Sequence, residues 1–283
     1  MTSNTSTNET DFDLWLEAGR TERHYWRDLW RFRELFYVLS WRDISVRYKQ
    51  TVIGVAWALI RPLLTMLIMT IIFSRVAKLP SEGTAPYALM VFAAMLPWQF
   101  FAAGLASAAD SLVTNANLIS KVYFPRLIVP VAAIVTAFID FLLSFVIMLA
   151  MMAFYQFWPG MRILALPAFV LLAILTALGP GLLLTALTVR YRDFKHVLPF
   201  LVQFGIYVSP VGFSTSLIPE QWRLLYSLNP MVGVIDGFRW CLLNGEAPLY
   251  MPGFLLSTGV TLFFCVAGVC YFRKTERSFA DVI

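Results

Sequence analysis

NANLISKVYFPR, residues 115–126, runs straight into LIVPVAAIVTAFIDFLLSFVIMLAMMAFYQF, residues 127–157. The first stretch is polar, basic and closed by proline. The second holds one charged residue, Asp140, in 31. About 20 apolar residues suffice for a helix to cross a bilayer, so the longer stretch predicts a membrane span with room to tilt. A second span is predicted just before the basic stretch, over about 86–113.

The same reading extends outward. Residues 51–74, 163–188, 197–213 and 253–272 supply four further apolar segments, the fifth in chain order being short. Hydrophobic residues make up 59% of the 283 and charged ones 14%. Soluble domains hold about 45–50% and about 25% respectively, so the chain has too little charge for a water-facing skin. The expected fold class is an all-α polytopic membrane protein with six transmembrane helices. A GPG at 179–181 predicts a kink in the fourth.

Between the fifth and sixth spans, residues 214–250 are too polar to span and too apolar for a loop, which predicts re-entrant helices. Ahead of the first span, Arg23, Arg27, Arg31 and Glu34 share one helical face and Trp26, Leu29, Trp30 and Phe36 another. That split predicts an amphipathic interface helix over 21–50. The expected domains are a disordered cytoplasmic tail over 1–20, which has no apolar signal segment, the interface helix, a transmembrane domain over 51–272 and a cytoplasmic tail over 273–283.

Charge sets the expected orientation. With both termini inside, 17 of the 22 Lys and Arg residues face the cytoplasm, leaving only Arg75, Lys78, Arg162, Arg223 and Arg239 outside. NANLISKVYFPR is then cytoplasmic. The three cysteines, with no C-x-x-C spacing, read as packing residues.

Chemistry-bearing motifs are missing. There is no phosphate-cradling G-x-x-x-x-G-K-[ST] loop, no H-E-x-x-H, no G-x-S-x-G and no carboxylate cluster. No metal, cofactor or nucleic-acid partner is expected for this chain. Asp110 and Asp140 lie within spans, where a carboxylate either serves function or pairs with a neighbouring helix or a basic group such as Arg61. Pairing is the expectation, since no intramembrane histidine or lysine completes a relay.

WRDISVRYKQTVIGVAWALIRPLL, residues 41–64, resembles the opening segment of ABC-transporter permeases that export polysaccharides such as O-antigen, capsule and teichoic acid. Arg42, Asp43, Arg47, Tyr48, Lys49, Gly54, Trp57 and Pro62 carry the likeness. So do Asn115, Leu118, Ile119, Lys121, Tyr123, Phe124, Pro125 and Arg126, together with YRD at 191–193, SP at 209–210 and LNPMVGVIDGFRWCLLNG at 228–245.

The resemblance implies a half-transporter in the bacterial inner membrane, paired with a second copy and with two copies of a separate ATPase that uses ATP and magnesium. Lipid-linked polysaccharide would be the cargo, with membrane lipids and periplasmic and outer-membrane export proteins as further partners. Arg27, Arg31 and the 115–126 residues just named are the implied ATPase contacts. Trp57, Trp98, Phe100, Phe101 and Tyr207 are candidates for the substrate path, because aromatic faces grip sugar rings. Arg42, Arg47, Lys49 and Arg61 are candidates for phosphate or lipid headgroups. Asn229, Pro230 and Arg239 fall in the segment expected to form an outer gate. Export of a drug or small lipid by the same fold, and glycan modification within the membrane, are the two rival readings.

Overall fold

A computed structural model describes residues 25–49, 52–191, 193–245, 249–276 and 279. The side chains of Lys49 and of residues 52–58, Trp57 included, lie outside that description, as do the expected N-terminal tail and most of the C-terminal one. The described residues contain helices and no strand.

Two short-spaced helices open the chain, α1 (Tyr25–Arg31) and α2 (Arg33–Lys49), followed by α3 (Val52–Thr70) with a wider π-type turn over Ile71–Val76. The bundle continues with α4 (Tyr87–Thr114), α5 (Ala116–Lys121), α6 (Ile128–Phe154), α7 (Leu166–Arg190) and α8 (Phe194–Val208). Then come the short α9 (Glu220–Tyr226), α10 (Pro230–Leu242) and the final α11 (Met251–Thr275). Five segments are long and apolar enough to cross a membrane: Leu59–Val76, Tyr87–Thr114, Ile128–Phe154, Met161–Arg190 and Met251–Thr275. The expected fifth span is the 15-residue α8, apolar but shorter.

α4 is the hub and touches α3, α6, α7, α8 and α10. Small residues let it sit there. Gly104 and Ala108 on α4 meet Ala177 and Gly181 on α7, a Cβ placed at Gly181 lying 3.2 Å from that of Ala108. Small residues four apart on both partners are how apolar helices approach closely where lipid offers no hydrophobic drive. The Thr185 hydroxyl closes the same contact, donating to the Ala108 carbonyl at 2.8 Å.

α7 runs from Leu166 to Arg190 through the GPG where a kink was expected, with Pro180 inside it. The first glycine there also serves close contact. A Cβ at Gly179 would lie 2.6 Å from the Cys265 backbone nitrogen on α11, and one at Gly268 would lie 2.2 Å from the Gly179 carbonyl oxygen. Backbone here meets backbone, so a methyl group has nowhere to go. Gly268→Ala should therefore lower stability by about 1–3 kcal/mol, the usual loss for overpacking. A thermal melt of the purified protein checks this, with the loosely surrounded Gly259→Ala as the tolerated control.

A ladder of phenylalanines holds the far half of the bundle. Phe141 on α6 lies 5.7 Å from Phe100, 5.6 Å from Phe138, 6.2 Å from Phe145 and 6.0 Å from Phe238, joining α4, α6 and α10. α10 is thus a core element despite its 13 residues. Its Gly233 and Gly237 admit Ser257 of α11 and Phe169 of α7 at contact distance.

Candidate functional site

Both ends of the bundle carry organised polar groups. At the basic end, the turn before α6, the N-terminal helix and the end of α11 converge on Glu276. Its Oε1 accepts from the Arg126 backbone N–H at 2.7 Å and its Oε2 from the Tyr25 hydroxyl at 3.0 Å, while the Arg126 guanidinium donates to the Glu276 carbonyl. The Arg273 guanidinium lies 4.5 Å from the centre of the Tyr25 ring, within cation–π range. Burial pushes the Glu276 carboxyl above the usual carboxylate range, against the pull of its donors and of both arginines. Burial and the facing carboxylate likewise raise the Tyr25 hydroxyl.

This arrangement divides the 115–126 stretch into anchors and a ridge. Ile119, Phe124 and Pro125 are buried and Leu118 packs beside them, while Arg126 is spent on Glu276. Asn117, Ser120, Lys121, Val122 and Tyr123 stand exposed. Asn115 accepts from Arg42 at 2.7 Å and donates to the Ser111 carbonyl at 2.9 Å, tying α2 to the end of α4. Of the implied ATPase contacts, Lys121, Tyr123, Arg27 and Arg31 face outward; the others hold the loop in place.

α2 lies along α6. Arg47 pairs with Asp140 at 2.7 Å, and the Tyr48 hydroxyl donates to the same carboxylate. Lys195 lies 3.7 Å from Asp110. Each span carboxylate therefore has a basic partner, Arg47 and Lys195 rather than Arg61, which stands exposed on α3. Arg42 and Arg47, read as headgroup ligands, spend part of their hydrogen-bonding capacity inside the chain.

At the opposite end, Arg239 is fully buried. It donates to the carbonyls of Phe213 at 2.8 Å, Val211 at 3.1 Å and Met90 at 3.3 Å, and lies 3.7 Å from Glu82. Asn229 caps α10, accepting from the Met231 N–H at 3.0 Å and donating to Ser209 at 3.0 Å, with Pro230 in the first turn. The predicted gate residues thus form the joint that seats α10. Asp236, one turn before Arg239, takes the Thr215 hydroxyl at 3.0 and 3.1 Å, and burial pushes its carboxyl up to about 7.

Three of the five cations outside the charge rule are explained here. Arg239 is the joint, Arg223 donates to Ile218 and Ser216 carbonyls, and Arg162 donates to the Asn244 carbonyl while covering Trp240.

The aromatic path candidates separate. Trp98 is 5% exposed and seated against Gly205 of α8, and Phe100 is 3% exposed within the phenylalanine ladder. Phe101 is partly buried beside Trp98 at 5.6 Å. These rings are occupied by packing inside one chain. Tyr207 is 62% exposed and shares its face of α8 with Phe200 and Phe204, stacked at 6.2 Å. The spacing 200, 204, 207 is a helical stripe that the sequence already displays.

The chain matches the membrane domain described as "ABC-2 type transporter" over residues 34–243. The chain belongs to that family. Among curated proteins, this ABC-2 permease is 25% identical over 257 residues to the O-antigen export system permease protein RfbA of Klebsiella pneumoniae, covering 88% of the chain and 95% of the relative. It is 26% identical over 259 residues to the protein of the same name from Myxococcus xanthus, covering 91% and 98%. The permease is a multi-pass membrane protein, and its matched domain is of a kind that carries no ATPase site. The match spans α2 through α10, so it takes in both the exposed ridge and the Arg239 joint.

Proposed function

We propose that this permease is the membrane half of an ATP-driven exporter of lipid-linked polysaccharide in the bacterial inner membrane. Two copies form the conduit, and two copies of a separate ABC ATPase, holding ATP and magnesium, dock on the basic end. Similarity to O-antigen export permeases over nearly the whole of both chains carries the reading. Six spans, with α8 completing the set, leave both termini in the cytoplasm beside the ridge, and α1 and α2 lie at the membrane interface with Trp26, Trp30 and Trp41 uncovered.

In this assembly each ATPase pushes on Lys121–Tyr123. Arg126, through Glu276, passes the displacement to α1 and to the ends of α6 and α11. The stripe Phe200, Phe204 and Tyr207 offers flat apolar faces to sugar rings, a grip that tolerates sequence because every pyranose has a carbon–hydrogen face. Arg61, exposed on α3, and the half-exposed Arg47 remain available to a phosphate-linked lipid end. Periplasmic and outer-membrane export proteins would receive the chain beyond α10.

Deleting the gene tests the reading. Lipid-linked polymer should accumulate on the cytoplasmic side while surface glycan disappears. Unchanged surface glycan would sink polysaccharide export and leave a small-molecule exporter of the same fold.

A further inference from the structure

The far end contains a cavity of about 220 Å³, where one water needs only ~10–15 Å³. Glu82, Thr215, Arg223, Tyr226, Asp236 and Tyr250 line it. Most of its donors are already committed. Thr215 donates to Asp236, Tyr226 to the Val208 carbonyl at 2.7 Å, and Arg223 through Nε and Nη2 to backbone carbonyls at 2.9 and 2.8 Å.

Among the described residues, the Arg223 Nη1 group and the Tyr250 hydroxyl are left without a hydrogen bond, and two acids on the wall have acceptor capacity to spare. Glu82 is 8% exposed, and its Oε2 is buried with no hydrogen-bond partner among the described residues. Among the described residues the Asp236 carboxyl, also 8% exposed, takes only the Thr215 hydroxyl, although a carboxyl group offers further acceptor sites. A buried acceptor left unpaired is costly, and uncommitted donors stand beside these acids, so the cavity suits a ligand whose groups both donate and accept, as a hydroxyl does.

Charge selects among donors. The two acids, one of them held toward its neutral form by burial, face two guanidinium groups, Arg239 at 3.7 Å from Glu82 and Arg223 in the wall. A cation would gain little there. A neutral ligand with two neighbouring hydroxyls would satisfy both acids, and the rings of Tyr226 and Tyr250 supply apolar surface beside them. We propose that this cavity holds one sugar residue of the exported glycan, its hydroxyls bonding to the acids and to the Arg223 and Tyr250 groups of the wall. The proposal rests on the polysaccharide reading and adds a single-residue grip at the exit, which holds the emerging chain between strokes of the ATPase.

Saturation-transfer NMR on the full chain in lipid nanodiscs tests it. The probes are glucose, galactose, mannose and N-acetylglucosamine, each presented singly at millimolar concentration. At least one should receive saturation from the wild type and lose it in Glu82→Gln and in Tyr250→Ala. The second variant leaves the Glu82–Arg239 pair intact, and a melt matching the wild type for it separates lost binding from lost folding. No transfer to any probe, or equal transfer in wild type and both variants, overturns the site. So does calcium binding that Glu82→Gln abolishes, with no sugar signal. The deletion phenotype separates the two claims: lost surface glycan with no sugar binding removes this site alone, whereas sugar binding with intact surface glycan removes the export reading.

Discussion

Arg239→Leu is expected to lose about 3–5 kcal/mol of stability, the range for removing one partner from a buried charged pair. The guanidinium satisfies three backbone carbonyls on two separate segments and stands beside Glu82. Leucine fills part of the volume and takes this donor from the Phe213 and Val211 carbonyls and from Glu82. Melting should drop by roughly 10 °C in a protein of this size. Arg239→Lys keeps a charge near Glu82, but a point-like ammonium cannot span carbonyls on α4 and on the α8–α9 connection as the five-donor fork does. An intermediate loss is expected for it. Glu82→Gln should cost less than either, because the three carbonyl bonds survive. Equal melting for wild type and Arg239→Leu would show that the joint contributes nothing.

Glu276→Ala is expected to release α1 without unfolding the bundle. The substitution removes the acceptor of the Tyr25 hydroxyl and of the Arg126 amide. Hydrogen bonds to a charged group contribute about 1.5–3 kcal/mol, and each 1.4 kcal/mol is about tenfold in an opening equilibrium. Amide exchange over Tyr25–Arg31 should therefore accelerate about ten- to hundredfold, while α4 and α7 keep their protection. If the ridge transmits the ATPase stroke, ATP hydrolysis by the assembled transporter should continue while glycan export falls. Unchanged exchange in α1 would remove Glu276 from the coupling path.

These residues also show where a sequence reading stops. Hydropathy alone located α3, α4, α6, α7 and α11, because only apolar runs of that length are tolerated across lipid. The 115–126 stretch was legible as one loop, yet its division was not. Lys121 and Tyr123 outside, with Ile119, Phe124 and Arg126 inside, depends on Glu276, 150 residues away from Arg126. Trp98 and Phe100 were named path candidates because aromatic faces grip sugar rings. Gly205 and Phe141, their partners, come from other helices. Phe200 and Phe204 were visible as a stripe with Tyr207 and needed only their period to be read.

Span composition, basic-end charge bias and the order of short motifs are local properties, and the sequence by itself determined the all-helical membrane class from them. Which arginines are surface charges and which are struts is not local. Arg239 and Arg126 became internal ties because α4, the α8–α9 connection and the end of α11 bring carbonyls and a carboxylate from distant segments within hydrogen-bond reach of them. Likewise GPG reads locally as a kink site, and only the close approach of α11 at Cys265 and Gly268 makes it a contact. In a chain this apolar, burial is nearly free of sequence information, and the pairing of its few polar groups is settled by the tertiary structure.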